Sequence, residues 1–132
     1  MGLMNASQQF QQMIDDVLGP VKDVATGYVD DILVGTSVGE GENLLDAHAR
    51  DLDRVLKVLL DNKMVVDPVK AQLFVDEVEF CGQILGHGNR RPAPGKLLAI
   101  EKWEVPTTIT ALRAFLGFTN YYAAYIKGYA AV

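Results

Sequence analysis

The sequence predicts an α+β fold, in which a small antiparallel sheet is layered against helices and further helices follow at the C-terminal end. Three observations carry this. An apolar stripe at helical spacing runs from Leu44 to Lys63, short β-branched and aromatic runs flank it, and helical spacing returns after a Pro- and Gly-rich loop. With 132 residues, 49% of them hydrophobic and 22% charged, the chain is long enough to bury a real core as one domain, with at most a small appendage.

The elements follow in order. "NASQQFQQMIDDVLGP" opens on a cap-like Asn/Ser cluster, spaces Phe10, Ile14 (with Met13), Val17 and Leu18 as a helix, and stops at Gly19-Pro20. "VATGYVDDILVGTS" is β-branched, aromatic and short, so two strands are expected to meet near its aspartates; "VGEGEN" is a loop. In the long helix the expected apolar face is Leu45, His48, Ala49, Leu52, Val55, Leu56, Leu59 and Leu60. Asp51, Asp53, Arg54, Lys57 and Asp61 are expected opposite it. "MVVDPVKAQLFV" reads as a short strand, an Asp-Pro turn and an extended piece, "EVEFCGQILG" as a strand or hairpin arm, and "HGNRRPAPGK" as a loop with polyproline character. A short helix from Gly95 to about Trp103 precedes "VPTT". The last helix starts after Thr108 or Thr110 as N-cap, with Leu112, Phe115, Leu116, Thr119, Tyr122, Ala123 and Ile126 on one face.

Composition narrows the function. No apolar run reaches the roughly 18 residues of a membrane span, and no secretory leader opens the chain. The single cysteine, Cys81, excludes an internal disulfide and a cysteine zinc cluster, fits a reducing compartment, and beside Phe80 reads as a small buried hydrophobe. His48 and His87 have no partner at metal-ligand spacing. The net charge of −5 argues against nucleic acid, but its distribution is uneven. Residues 1–81 carry 6 basic against 15 acidic side chains, net −9, and residues 82–132 carry 6 against 2, net +4. Such asymmetry points to charged partners, or to two ordinary solvated surfaces.

One stretch asks for chemistry. "YVDDILVG", residues 28–35, sets two adjacent carboxylates inside an apolar run built to be buried. Two neighbouring ionised carboxylates repel and are expensive to bury without partners. A bound cation or a sharp solvent-exposed turn compensates.

The order of motifs resembles the reverse transcriptases of Ty3/gypsy-type long-terminal-repeat retrotransposons, from the middle of the palm through the thumb. "GLMNASQQFQ" is similar to F-G-L-x-N-A-P-x-x-F-Q, and "YVDDILVGT" to the Y-[VLM]-D-D hairpin. "HARDLDRVLKVLLDNKMVVDPVKAQLF" resembles the palm helix and its L-x-L-N-P-x-K-C stretch, and "VEFCGQILG" the E-[FY]-L-G-H primer grip. "RPAPGKLLAIEKWEVPTTITALRAFLGFTNYYAAYI" resembles the thumb pattern that ends R-x-F-L-G-x-x-N-Y-Y-R-x-F-I. Five motifs in family order span essentially the whole chain.

The resemblance implies a partial palm over residues 1–86 and a thumb-like helical segment over 87–132, with RNA- and DNA-templated DNA synthesis as the family activity. It implies Mg²⁺, with Mn²⁺ as substitute, in a pair about 3.5–4 Å apart that clamps the attacking 3′-hydroxyl and the leaving pyrophosphate. Asp30 is the implied metal ligand, Asp31 the supporting acid, and Lys70 a cation assisting the pyrophosphate or else a solvated surface charge. Gly2, Leu3, Asn5 and Tyr28 would line the nucleotide and template side, and Asn5 also suits a helix cap. Phe80, Cys81 and Gly82 match the primer grip or are core, and Arg113, Asn120, Tyr121 and Tyr122 fall where a thumb meets phosphates and sugars or where tyrosines pack.

The pattern also breaks. The fingers and the palm strand carrying a further catalytic aspartate have no counterpart in the 132 residues, so catalysis by this chain alone is expected to be absent or very weak. Ser7, Asp67, Ala71, Ala111 and Ala123-Ala124 replace the family's proline, asparagine, cysteine, capping acid, and arginine with its neighbour. Three readings follow: a segment acting within a longer polypeptide, a domesticated module binding nucleic acid or protein without catalysis, and a self-associating remnant that dimerises through an exposed palm edge. An intracellular setting is expected, cytoplasmic or nuclear, or a virus-like particle for an active element.

Overall fold

The computed structural model describes residues 6–129. The chain divides into two compact units, Met1–Val75 and Asp76–Val132.

In the first unit, α1 (Ala6–Leu18) runs through a 3₁₀ turn (Gly19–Val21) into β1 (Ala25–Tyr28), which pairs antiparallel with β2 (Asp31–Val34). After a loop, α2 (Leu44–Asp61) starts on Asn43, whose side chain accepts from the Leu45 and Asp46 amides and so satisfies two otherwise orphaned donors. The core is Ile14 and Leu18 of α1, Val21, Ala25 of β1, and Val55 and Leu59 of α2, with Val17, Ile32, Val34 and Val58 packed against it. Burial of this apolar surface holds the hairpin to the two helices. Gly27 sits where β1 crosses α1, and a Cβ there would lie 2.3 Å from Ile14 Cγ2.

The buried face of α2 is rotated from the predicted stripe. It consists of Ala47, Asp51, Val55 and Leu59, whereas Leu45, Leu56 and Leu60 are exposed. Asp51 goes inside because its charge is matched. Its carboxylate accepts the Thr36 hydroxyl proton at 2.9 Å and an Arg54 N–H at 3.3 Å, and Arg54 also pairs with Asp23 at 3.0 Å. Thr36 has given its one proton to Asp51, so the 3.0 Å contact with His48 Nδ1 requires that nitrogen to donate. This network ties the chain after β2 to α2.

The strand expected in "MVVDPVKAQLFV" does not form. Asp67 instead makes a local turn, accepting the Val69 amide on its side chain and the Ala71 amide on its carbonyl. Without a ladder partner the segment leaves Val65 and Val69 more than 90% exposed.

The second unit holds β3 (Glu77–Phe80), β4 (Gln83–Gly86) and β5 (Asn89–Pro92) in one antiparallel sheet, then α3 (Pro94–Glu101), α4 (Ile109–Tyr121) and a 3₁₀ turn (Ala123–Tyr125). β5 corrects the polyproline-loop expectation. His87 and Gly88, both at positive φ, form a two-residue turn that folds Asn89–Pro92 back on β4, with Pro92 ending an edge strand. Thr108 caps α4 as expected, accepting the Ala111 amide at 3.1 Å. Trp103, Phe115, Phe118, Tyr121 and Tyr122 form a chain of ring contacts with centroids 4.9–5.7 Å apart. Among the described residues no helix is long and apolar enough to cross a membrane.

Candidate functional site

The turn joining β1 and β2 is two residues, Val29 and Asp30, so both aspartates sit at the hairpin tip, Asp30 in the turn and Asp31 opening β2. Both are exposed, as is Tyr28, the register partner of Asp31. A β-branched residue in the left-handed region is strained, and Val29 sits there at φ 54°.

A side chain of α1 holds this turn. The Gln11 amide donates to Gly27 O at 3.0 Å and accepts the Val29 N–H at 2.7 Å, bridging the two backbone groups beside Tyr28. Its nitrogen also donates to Asp15 at 2.9 Å. Gln11 therefore fixes the turn that presents the two carboxylates. Sequence reasoning assigned it no role, because nothing local indicates that a helical glutamine meets a turn 16 to 18 residues on.

Exposed carboxylates are the donor type that hard divalent cations take, and Asp30 and Asp31 offer two at adjacent positions. Among the described residues no group of three histidine, cysteine or acidic side chains gathers to hold a metal. Lys70 lies exposed in the turn after Asp67-Pro68, and no hydrogen bond or ion pair joins it to Asp30 or Asp31. Gly2, Leu3 and Asn5 lie outside the described residues.

In the second unit, Cys81 and Gly82 form the two-residue turn between β3 and β4, with φ of 50° and 74°, the pattern of a type I′ hairpin. Cys81 is half-buried in this turn rather than sunk in a core, because a two-residue turn holds it at the surface end of the hairpin. Phe80 is half-buried at the end of β3. Three tyrosine hydroxyls close on this turn. Tyr121 donates to Cys81 O at 2.6 Å, Tyr122 to Gly82 O at 3.4 Å, and Tyr125 to Gln83 Oε1 at 2.9 Å. Gln83 and Tyr125, like Gln11, escaped the sequence reading, since a strand residue and a tyrosine some 40 positions apart carry no joint signal. Tyr122 is 4% exposed, and burial, followed by its tyrosine neighbour Tyr121 and by Glu79, raises its phenol above the ordinary value. The Lys96 stem also lies over the turn, its Cε 3.4 Å from where a Gly82 Cβ would stand. Arg113 and Asn120 are exposed two turns apart on α4.

Comparison with known proteins adds to this geometry. Residues 1–85 match the family described as reverse transcriptase (RNA-dependent DNA polymerase). The chain is 37% identical over 132 residues to the retrovirus-related Pol polyprotein from transposon gypsy of Drosophila melanogaster, covering 99% of this chain and 12% of that one. It is 28% identical over 126 residues to the transposon Tf2-3 polyprotein of Schizosaccharomyces pombe, covering 95% of this chain and 9% of that one. The chain thus spans about an eighth or less of these relatives' length. Among solved structures, a foamy viral protease-reverse transcriptase dRH in complex with ds DNA superposes with a TM-score of 0.79 at 24% identity, over 99% of this chain and 22% of that one. A foamy viral protease-reverse transcriptase in complex with RNA/DNA hybrid gives a TM-score of 0.66 at 25% identity, over 99% of this chain and 18% of that one.

Proposed function

This chain belongs to the reverse transcriptase (RNA-dependent DNA polymerase) family, on its Ty3/gypsy retrotransposon branch, and from that premise we propose that it supplies the catalytic hairpin, the primer-holding turn and the thumb helices of a template-directed DNA polymerase. The observation that carries the reading is the hairpin, with Asp30 and Asp31 exposed at a tip that Gln11 fixes through two backbone bonds. Two adjacent carboxylates held at an exposed tip, with no ion pair to either among the described residues, suit a divalent cation as their counter-charge.

Asp30 is the principal ligand in this reading, Asp31 supports it, and Lys70 assists the departing pyrophosphate. Mg²⁺, or Mn²⁺ in its place, would there offset charge on the attacking and leaving oxygens. Tyr28, beside the carboxylates, would face the nucleotide, and Gly2, Leu3 and Asn5 are proposed as further nucleotide- and template-binding residues. Phe80, Cys81 and Gly82 would hold the primer backbone, and Arg113 and Asn120 would meet the duplex from the thumb. The solved relatives in complex with dsDNA and RNA/DNA hybrid support a primer–template duplex as the partner, inside the cell where such elements replicate.

The hairpin contributes two carboxylates, and no third metal-ligating group joins them among the described residues. In this reading polymerisation needs a larger assembly that completes the site, and the chain alone is expected to extend a primer very weakly or not at all. Primer extension tests this, with the chain alone on an RNA-templated DNA primer, in Mg²⁺ and then Mn²⁺, beside Asp30→Asn. The expected result is duplex binding by anisotropy with no extension above the variant. Extension that vanishes in Asp30→Asn would overturn the partial site, and a folded chain that binds no duplex would overturn the nucleic-acid role.

One observation favours a second reading, self-association. Leu45, Leu56 and Leu60 of α2 and Val65 and Val69 beyond it are exposed, a density of apolar surface that invites a second copy. Light scattering decides it, since a strict monomer at tens of micromolar (order of magnitude) excludes this arrangement.

A further inference from the structure

We propose that Tyr121, Tyr122 and Tyr125 are positioning residues of the β3–β4 turn, holding it in shape for a primer strand, rather than surfaces on which nucleic acid stacks. This rests on the reading of residues 80–82 as the primer-holding turn.

Three features converge on it. The tyrosines bond the turn consecutively, reaching Cys81 O, Gly82 O and the Gln83 side chain from the end of α4 and the 3₁₀ turn after it, so they act as one clamp across a separation of 40 to 42 residues. Gln83 Nε2 closes the set by donating to the Tyr121 hydroxyl at 3.4 Å, and the Ala93 amide adds a second donor to Gly82 O at 3.0 Å. Both turn carbonyls are thereby committed to protein donors and do not oppose an approaching phosphate.

The turn also needs holding. Cys81 adopts φ 50° without being glycine, a conformation that persists only where neighbours over-determine it. Gly82 is confined from the same side, since a Cβ there would meet the Tyr122 hydroxyl at 2.9 Å. Tyr122 itself is buried, so its ring is not available to stack on a base. Tyr121 is half exposed, and its ring packs edge-on against Tyr122 with centroids 4.9 Å apart.

The test separates hydroxyl from ring. Tyr121→Phe removes the bond to Cys81 O, together with the long one from Gln83, and keeps the aromatic face, whereas Tyr121→Leu removes hydroxyl and ring. The probe is a fluorescein-labelled DNA primer annealed to an RNA template, read by anisotropy, with amide exchange measured across residues 76–129. The clamp predicts that Tyr121→Phe weakens duplex binding about 5-fold, the equivalent of one hydrogen bond, and that Tyr121→Leu is little worse. It also predicts faster exchange at Cys81, Gly82 and Gln83 with the amides of α3 and α4 unchanged, a local signature that general loss of stability would not produce. Binding by Tyr121→Phe equal to the unmodified chain, with loss only in Tyr121→Leu, would overturn the proposal in favour of stacking. Unchanged exchange at the turn would overturn it too. If the unmodified chain binds no duplex while exchange at the turn still rises in Tyr121→Phe, the clamp stands and the primer-grip reading fails. Tyr125→Phe, which removes only the bond to Gln83, repeats the test should Tyr121 variants not fold.

Discussion

Gly27→Ala probes the contact on which the hairpin's placement depends. An added Cβ would lie 2.3 Å from Ile14 Cγ2, 3.1 Å from Leu18 Cδ1 and 3.7 Å from Ile14 Cβ. Carbon atoms pack best at about 3.5–4.0 Å, so the first contact overlaps by more than 1 Å by that measure. Ile14 is 1% exposed and Leu18 3%, so neither has open space to enter. Either Ile14 leaves its rotamer or β1 lifts from α1, and overpacking of this kind costs about 1–3 kcal/mol. The φ of Gly27 is not in the left-handed region, so alanine gains about 0.4–1 kcal/mol from the stiffer unfolded chain. The net expectation is a loss of about 1–2 kcal/mol. Lifting β1 would also pull Gly27 O from Gln11. Urea unfolding by far-UV circular dichroism, with amide exchange in α1 and β1, reads the loss. Ile14→Ala removes the clashing methyl, so adding Gly27→Ala to it should cost at least about 1 kcal/mol less than in the unmodified chain. Equal stability of Gly27→Ala and the parent, with no coupling to position 14, would refute the packing of β1 on α1.

Two further predictions follow from the same geometry. Gln11→Ala removes two part-buried backbone bonds and should destabilise by about 1–2 kcal/mol, with the largest rise in amide exchange at Val29; Gln11→Glu should not restore the parent, since a carboxylate would face Gly27 O and Asp15. The raised phenol of Tyr122 means that the folded state favours the protonated form. Its contribution is fully present below the ordinary tyrosine value of 10.0 and is lost as pH rises from there through the raised folded-state value, so above pH 10.0 stability should fall more steeply in the parent than in Tyr122→Phe.

The order of elements was legible in the sequence, and its gaps have physical causes. α2 and its ends are plain from apolar spacing, but its buried face is not, because Asp51 enters the core only through Thr36 and Arg54, partners 15 and 3 residues away. The three strands after α2 agree in number yet differ in membership. Apolar content suggested a strand at residues 64–66, where no partner exists, and hid β5, an edge strand whose Arg90, Arg91 and Pro92 read as loop. The tight turn at Val29-Asp30 follows from two strands meeting at the aspartates, whereas the bonds by which Gln11 and Tyr125 brace the two candidate turns carry no local signal. Sequence order marks the candidate turns, and long-range hydrogen bonds brace them.

A divalent cation held by the Asp30-Asp31 turn would be detected at the hairpin itself. Paramagnetic broadening of backbone amides on titration with Mn²⁺ tests it most directly. Amides of residues 28–32 should broaden first, and Asp30→Asn should abolish the effect while leaving the spectrum of α2 unchanged. Broadening that begins instead on the acidic face of α2, around Asp46 and Asp53, or that persists at the hairpin in Asp30→Asn, would contradict it.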